Sequence, residues 1–185
     1  LEVDKQGVIK KEIALVIETP SHHSDTRNVR KTELGTYLVA HEKDGVVREY
    51  DTTGKIIWEF DVPLFEKPRK SGHGPEAFGD QVYSAVRLKD GNTLIGTGNG
   101  HSVLEVTPAK EIVWKLDQHD LPGITLAWVT QVRRLENGNT LFVNCHAGPK
   151  NPQIIEVTPD KEVAWTYRDF ELFGNALPVA VVDTE

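Results

Sequence analysis

The feature that most constrains the fold of this chain is a segment that occurs twice, almost word for word. Residues 87–115 read RLKDGNTLIGTGNGHSVLEVTPAKEIVWK, and residues 134–166 read RLENGNTLFVNCHAGPKNPQIIEVTPDKEVAWT. A looser third copy lies upstream, where residues 37–58 carry the corresponding apolar segments and again end on a tryptophan. Repeats with a period of roughly 40 to 50 residues indicate a stack of supersecondary units, because no single unit can bury its apolar face alone.

Each copy has the pattern of short β-strands. Apolar residues alternate or occur in short runs bounded by turn residues, and no stretch keeps helical spacing. One copy predicts strands at 86–88, 93–96, 103–106 and 112–116, with Asp90-Gly91 suited to a tight hairpin between the first two. We therefore predict an all-β fold, a β-propeller of four-stranded antiparallel blades. A β-sandwich is the competing all-β fold, but it does not predict such repetition.

The copies divide the chain into blade equivalents. Residues 1–15 correspond to half a blade, residues 28–62, 82–117 and 128–168 to one blade each, and residues 175–185 to the first strand of a closing blade. We expect these units, about four blade equivalents, to be part of a six- to eight-bladed ring. A four-bladed ring is the alternative, but a blade without its second strand would leave exposed ladder edges. The missing blades or a second chain would then be partners.

Composition narrows the classes of function. The net charge of −7 argues against nucleic acid as a partner, because binding to phosphates requires a basic surface. No apolar run approaches the about 20 residues that a membrane-spanning helix needs. Cys145 is the single cysteine, which excludes an internal disulfide and a metal site built from several cysteines. We predict neither a bound metal nor a cofactor.

Two repeated side chains are predicted to be structural. The tryptophan near the end of each copy, at Trp58, Trp114 and Trp165, is expected to pack between adjacent blades. Arg87 and Arg134 occupy equivalent positions on first strands, the innermost of each blade. They could face an anionic ligand in the channel, but their repetition favours a structural ladder.

The histidines are predicted to gather on one face. Four lie in the long loops between blades and three at or after the ends of second strands, and both sets belong to the same rim of a meander. This ligand face comprises His22, His23, His41, His73, His101, His119 and His146, together with Arg27. Long loops on a rigid scaffold are common places for binding and chemistry. We expect a small-molecule, glycan or protein ligand there.

The sequence leaves two kinds of function open. A binding or scaffold propeller would present splayed histidines on a flat surface. The alternative is an enzyme of sulfotransfer or lyase type that acts on a small anionic or carbohydrate-like substrate, with imidazoles that converge in a funnel for acid–base or nucleophilic chemistry. A nucleophilic pair of Cys145 and His146 is not favoured, because adjacent residues of an extended strand point to opposite faces. No catalytic residue is assigned.

The sequence motifs of the repeat resemble those of a known protein superfamily. RL-x-(D/N)-GNTL, then VLEVTP, then EIVW, are similar to blades of the pyrroloquinoline-quinone-type propeller superfamily, particularly its arylsulfotransferase-like bacterial branch. The resemblance implies a six- to eight-bladed ring, a periplasmic or secreted location and, in true arylsulfotransferases, a histidine that is sulfated during transfer between phenols. No histidine here matches the surroundings of that nucleophile. The vicinal cysteine pair of the quinoprotein dehydrogenases is absent, so quinone binding is not expected.

Overall fold

The computed structural model describes residues 1–175 and 179–180. Fourteen strands and one short helix follow in chain order: β1 (Glu2–Val3), β2 (Ile9–Lys11), β3 (Asn28–Lys31), β4 (Tyr37–His41), β5 (Val46–Tyr50), β6 (Ile56–Asp61), β7 (Ser84–Arg87), β8 (Thr93–Gly96), β9 (Val103–Val106), β10 (Ile112–Leu116), β11 (Trp128–Arg134), β12 (Thr140–Cys145), β13 (Ile154–Val157), β14 (Val163–Tyr167) and α1 (Phe170–Phe173).

The strands form one two-stranded and three four-stranded antiparallel sheets. Strands β1 and β2 pair with each other, and the larger sheets are a first blade (β3–β6), a second blade (β7–β10) and a third blade (β11–β14). Every blade is a meander in which each strand pairs with its sequence neighbour. The predicted all-β propeller fold is confirmed. The closing strand predicted within residues 175–185 falls almost wholly outside the described residues.

The apolar core lies between blades. One cluster joins Leu38 and Val47 of the first blade to Ile95 and Leu104 of the second. Another joins side chains of the second blade, among them Leu94, to the third blade. Because side chains alternate across a strand, each sheet has an apolar face for each neighbour. The blades therefore stack in sequence order around a common inner edge formed by their first strands.

Repeated polar contacts hold the outer parts of the blades. The indole nitrogen of Trp58 donates to the carbonyl of Pro108 at 3.0 Å, and that of Trp114 donates to the carbonyl of Pro159 at 2.8 Å. Both tryptophans thus contact the following blade, as predicted. Trp165 differs, since it is 48% exposed and stacks on Tyr167 within its own strand.

The predicted arginine ladder is also present. Arg87 pairs with Glu49 of the preceding blade and lies over the ring of Trp58. Arg134 repeats this arrangement, with Glu105 at 2.6 Å and the ring of Trp114 beneath it. Both guanidinium groups are engaged between blades, so the structural interpretation of these two arginines is the one that the contacts support.

The segment that contains Val16, between β2 and β3, contacts β5 of the first blade. The backbone N–H of Val16 donates to the hydroxyl of Tyr50 at 3.3 Å, and the buried Arg48 donates to the carbonyl of Val16 at 2.9 Å. Among the described residues, no helix is long and apolar enough to cross a membrane.

Candidate functional site

A cavity of about 450 Å³ opens where the inter-blade loops meet the ends of the second strands. All three blades contribute to its wall. The lining residues are His23, Ser24, Arg27, Glu42, His73, Gln81, Tyr83, Trp128, Thr130, Gln131, Cys145 and His146. Four of the eight residues of the predicted ligand face are therefore brought together in one concavity.

Arg27 is held at this wall by two neighbours. Its Nε donates to the carboxylate of Glu42, which is only 3% exposed, and its guanidinium carbon lies 5.8 Å from the centre of the Tyr83 ring. The amide of Gln81 approaches the other carboxylate oxygen of Glu42 at 3.5 Å. No described residue accepts a hydrogen bond from the two Nη groups of Arg27. The pair with Glu42 orients the guanidinium and leaves these donors for a ligand.

Three aromatic rings in the cavity lining contact one another. The ring of His73 stacks on Trp128 with centroids 5.0 Å apart and meets His146 edge-on at 5.2 Å. Burial lowers the pKa of His146, and the neighbouring His73 lowers that pKa further. His146 is therefore neutral near pH 7, able to accept or donate a proton. His73 is exposed to solvent at the mouth.

The prediction that the side chains of Cys145 and His146 point to opposite faces is wrong. Strand β12 ends at Cys145, and His146 adopts a left-handed backbone conformation with φ of 58°. Both side chains consequently line the cavity, with Sγ 3.4 Å from Nδ1 of His146. Burial raises the pKa of the Cys145 thiol to about 11, so the sulfur stays protonated at neutral pH. The structure thus joins the pair without producing a thiolate nucleophile.

Two predicted histidines are buried in the scaffold. His41 is fully buried, and its Nε2 lies 2.9 Å from the hydroxyl of Tyr50. Burial, followed by the nearby Arg48, lowers the pKa of His41. His101 is 1% exposed and contacts two backbone carbonyls. Neither residue lines the cavity.

The three remaining histidines of the predicted ligand face lie in exposed loops, and only one of them lines the cavity. His23 is exposed and lines the cavity, whereas His22 and His119 are exposed and lie outside its lining. A place in the predicted ligand face therefore does not by itself put a histidine in the cavity lining. The described residues contain no group of three or more His, Cys, Asp or Glu side chains arranged to hold a metal ion.

Several lining residues were not predicted from the sequence, notably Glu42, Tyr83 and Trp128. Trp128 carried a usable signal, because it is the one tryptophan of four that stands outside the repeated word at the end of a copy. A large aromatic side chain that breaks the repeat pattern is a reason to look for a function at that position.

Comparisons with known proteins identify the fold. No family model matches the chain, and no curated protein matches it. The chain is similar to a protein of unknown function from Bacteroides caccae, with a TM-score of 0.76 and 22% identity over 95% of this chain and 61% of that one. The chain is also similar to virginiamycin B lyase from Staphylococcus aureus, with a TM-score of 0.55 and 14% identity over 88% of this chain and 46% of the lyase. For the extracellular domain of a hybrid two-component system from B. thetaiotaomicron, the TM-score is 0.54 and the sequence identity is 17%, over 82% of this chain and 20% of that one.

These likenesses rest on shape, since the sequence identities are low. The lyase and the extracellular domain are β-propeller-like proteins, which agrees with the blades described above. The chain spans 61% of the length of the B. caccae protein and 46% of the lyase.

Proposed function

We propose that this propeller binds a small anionic molecule in the cavity between its blades. The observation that carries the proposal is that no described residue accepts a hydrogen bond from the two Nη groups of Arg27. This side chain lines the same cavity as the imidazoles of His23, His73 and His146. The carboxylate in the lining, that of Glu42, is already neutralised by Arg27. A ligand with an oxyanion would gain charge-assisted hydrogen bonds there without meeting an uncompensated negative charge.

The aromatic walls favour a ligand that also has a flat apolar part. Trp128 and Tyr83 bound the cavity on different blades, and His73 lies across Trp128. Ligand sites of this size commonly combine such apolar walls with a few polar groups that fix orientation. An aryl sulfate has both features, and 4-nitrophenyl sulfate is a practical probe of the site.

The test is titration calorimetry with 4-nitrophenyl sulfate. His73→Gln should weaken binding by about tenfold, because it removes an imidazole and its stacking from the mouth. The matched control is His119→Gln, which changes an exposed loop histidine outside the lining. Equal affinities of the two variants, or no binding to the unmodified chain, would remove the proposal.

A second candidate is a histidine-dependent enzyme of the lyase or arylsulfotransferase-like type. The edge-on contact of His73 and His146 inside a concave site favours it, because converging imidazoles can relay a proton. In a lyase one imidazole would remove a proton as the leaving group departs. In sulfotransfer an imidazole nitrogen would attack sulfur while the bond from sulfur to the aryl oxygen breaks and the aryl oxide leaves. The sulfuryl group would then pass to a phenol oxygen as its bond to the imidazole nitrogen breaks, and a neighbouring imidazole would take the proton of that phenol.

Turnover separates the two candidates. A variant of virginiamycin B lyase in which alanine replaces one histidine is catalytically inactive, which makes histidine chemistry on this fold a reasonable trial. Release of 4-nitrophenolate in the presence of phenol, lost in His146→Asn, would support the enzyme. Binding without release would leave the binding protein.

The wider setting is also a proposal. We infer a periplasmic or secreted protein, with support from an extracellular domain among the similar structures. Further blades, supplied either by more of the same polypeptide or by a second chain, would extend the ring and the cavity wall. A glycan or protein ligand is the alternative; it would engage the rim outside the cavity, and His73→Gln would then leave the affinity for 4-nitrophenyl sulfate no different from that of His119→Gln.

A further inference from the structure

A glutamate on the third strand of each blade marks a contact that recurs between neighbouring blades. In every four-stranded sheet this glutamate lies directly opposite the repeated tryptophan of the fourth strand. The pairs are Glu49 with Trp58, Glu105 with Trp114, and Glu156 with Trp165. Glu2 holds the same place in the two-stranded sheet, because Glu2-Val3 repeats residues 105–106 of the second blade. The four carboxylates therefore occupy equivalent positions of one repeat.

Three of these carboxylates bind a cation from the blade that follows. In each case the cation is the last residue of the first strand of that blade. The pairs are Glu2 with Lys31 at 2.8 Å, Glu49 with Arg87, and Glu105 with Arg134 at 2.6 Å. The same ion pair thus joins each described blade to the one before it.

Glu156 presents the same carboxylate without a cation. Its Oε1 accepts from the side-chain amide of Asn139 at 2.6 Å. Glu105 accepts in the same way from Asn92 at 2.7 Å. The second oxygen of Glu105 binds Arg134, whereas no described residue donates to Oε2 of Glu156. The third blade therefore already orients its carboxylate and leaves one oxygen for a cation.

Trp165 lacks its partner on the same face. The indoles of Trp58 and Trp114 each donate to a proline carbonyl, in the turn between the third and fourth strands of the next blade. Trp165 is 48% exposed, and its indole has no acceptor among the described residues. Its ring stacks on Tyr167, which in turn meets the half-exposed Phe173 edge-on. An aromatic surface thus lies beside the unpaired oxygen of Glu156.

The polypeptide leaves the third blade toward the inner edge of that blade. The backbone carbonyl of Asn175 accepts from the N–H of His146 at 3.1 Å. The N–H of Val179 donates to the side chain of Gln131, in β11, at 2.7 Å. The described residues beyond α1 therefore lie next to the first strand of the third blade, where the first strand of a neighbouring blade would begin.

We propose that the face of the third blade that carries Glu156 and Trp165 is a docking surface for a further blade of this repeat, formed by polypeptide continuous with β14. The first strand of that blade would end in an arginine or lysine that binds Oε2 of Glu156. Its turn between the third and fourth strands would present a backbone carbonyl to the indole of Trp165. The surface deepens the inference of further blades, on which it rests, and does not depend on the proposed ligand.

A second copy of this chain fits the surface less well. The cations that end its described first strands are Lys31, Arg87 and Arg134, and all three are already paired with glutamates of their own chain. A second copy would therefore have to break one of its own ion pairs to supply the cation.

The first test compares the same substitution at two positions of the full chain. Glu105→Gln should raise the equilibrium constant for unfolding in urea about fivefold, because it removes the charge that holds Arg134. Glu156→Gln should leave that constant unchanged, since its carboxylate has no cation. Equal losses at the two positions would overturn the proposal. Sedimentation velocity should show a monomer, and a dimer that Glu156→Lys dissociates would assign the surface to a second copy and overturn the proposed occupant.

The second test supplies a further blade to the third. In an extended chain, residues 1–168 are followed by a copy of residues 118–185, so that the junction repeats the one between Asp117 and Gln118. Glu156→Gln should now raise the equilibrium constant for unfolding about fivefold, and Arg134→Gln in the copied blade should do the same. The two changes together should cost no more than either alone, because they remove one contact. A copied blade that stays unfolded beside three native blades, or an effect of Glu156→Gln that is equal in the two chains, would overturn the docking surface.

The docking surface and the ligand site fail separately. If the copied blade docks but neither chain binds 4-nitrophenyl sulfate, the docking surface stands and the proposed ligand fails. If the full chain binds the probe but the copied blade does not dock, the ligand site stands and the docking surface fails.

Discussion

Replacing Trp114 with phenylalanine tests whether the repeated tryptophan holds neighbouring blades together. The change keeps an aromatic ring but removes the indole N–H, which donates to Pro159 at 2.8 Å. A hydrogen bond of this kind contributes about 1 kcal/mol. The weaker attraction of phenylalanine for the guanidinium of Arg134, which lies 5.9 Å from the ring, adds about 0.5 kcal/mol. The free energy of unfolding should therefore fall by about 1.5 kcal/mol.

The matched control is the same substitution at the equivalent Trp165. That side chain is 48% exposed, and no described residue accepts a hydrogen bond from its indole, so Trp165→Phe should change stability by less than about 0.5 kcal/mol. Urea-induced unfolding followed by circular dichroism measures both variants without relying on tryptophan fluorescence. Equal losses at the two positions, or no loss at Trp114, would refute the contact as the source of stabilisation.

Further predictions concern the cavity and the segments that support it. Burial raises the pKa of Cys145 to about 11, so a disulfide reagent at pH 8 should modify this thiol about 100-fold more slowly in the folded chain than in the unfolded chain. Comparable rates in the two states would contradict the burial of Cys145. His73→Gln should raise the pKa of His146 in an NMR titration, since a neighbouring imidazole no longer opposes its proton; no change would mean that the two rings do not interact. In the unmodified chain that pKa lies below the ordinary value of 6.5, so the unfolded state binds the proton first and the His146 contribution to stability is lost as pH falls below about 6.5. Gly98→Ala should lower the free energy of unfolding in urea by about 3 kcal/mol or more, because its Cβ would lie 1.9 Å from the carbonyl oxygen of Gln81. The control Gly123→Ala, at a similar positive φ but in open space, should lower it by about 1 kcal/mol. Similar losses for the two variants would count against the close approach at Gly98.

The blades could be predicted from the sequence because their determinants are local and repeated. Alternating apolar residues define each strand, and a hairpin such as the one at Gly91 sets its register. The tryptophan and arginine contacts between blades followed for the same reason, since a side chain that recurs at one position of each copy has the same neighbour each time.

The composition of the cavity could not be predicted in the same way. His22 and His23 are adjacent in the chain, yet only His23 lines the cavity. Loop backbone conformation decides such cases, as at His146, where a positive φ turns the side chain away from the alternation of the preceding strand. His101 was predicted to lie on the ligand face because of its position after β8, but its ring turns inward to backbone carbonyls of two other segments.

The most direct test of the account is a titration of the labelled chain with 4-nitrophenyl sulfate, followed through the imidazole resonances. The account predicts that the signals of His23, His73 and His146 shift together along one binding curve, while those of His22 and His119 remain in place. Shifts spread equally over all exposed histidines, or no shift at any of them, would contradict a ligand site in the cavity.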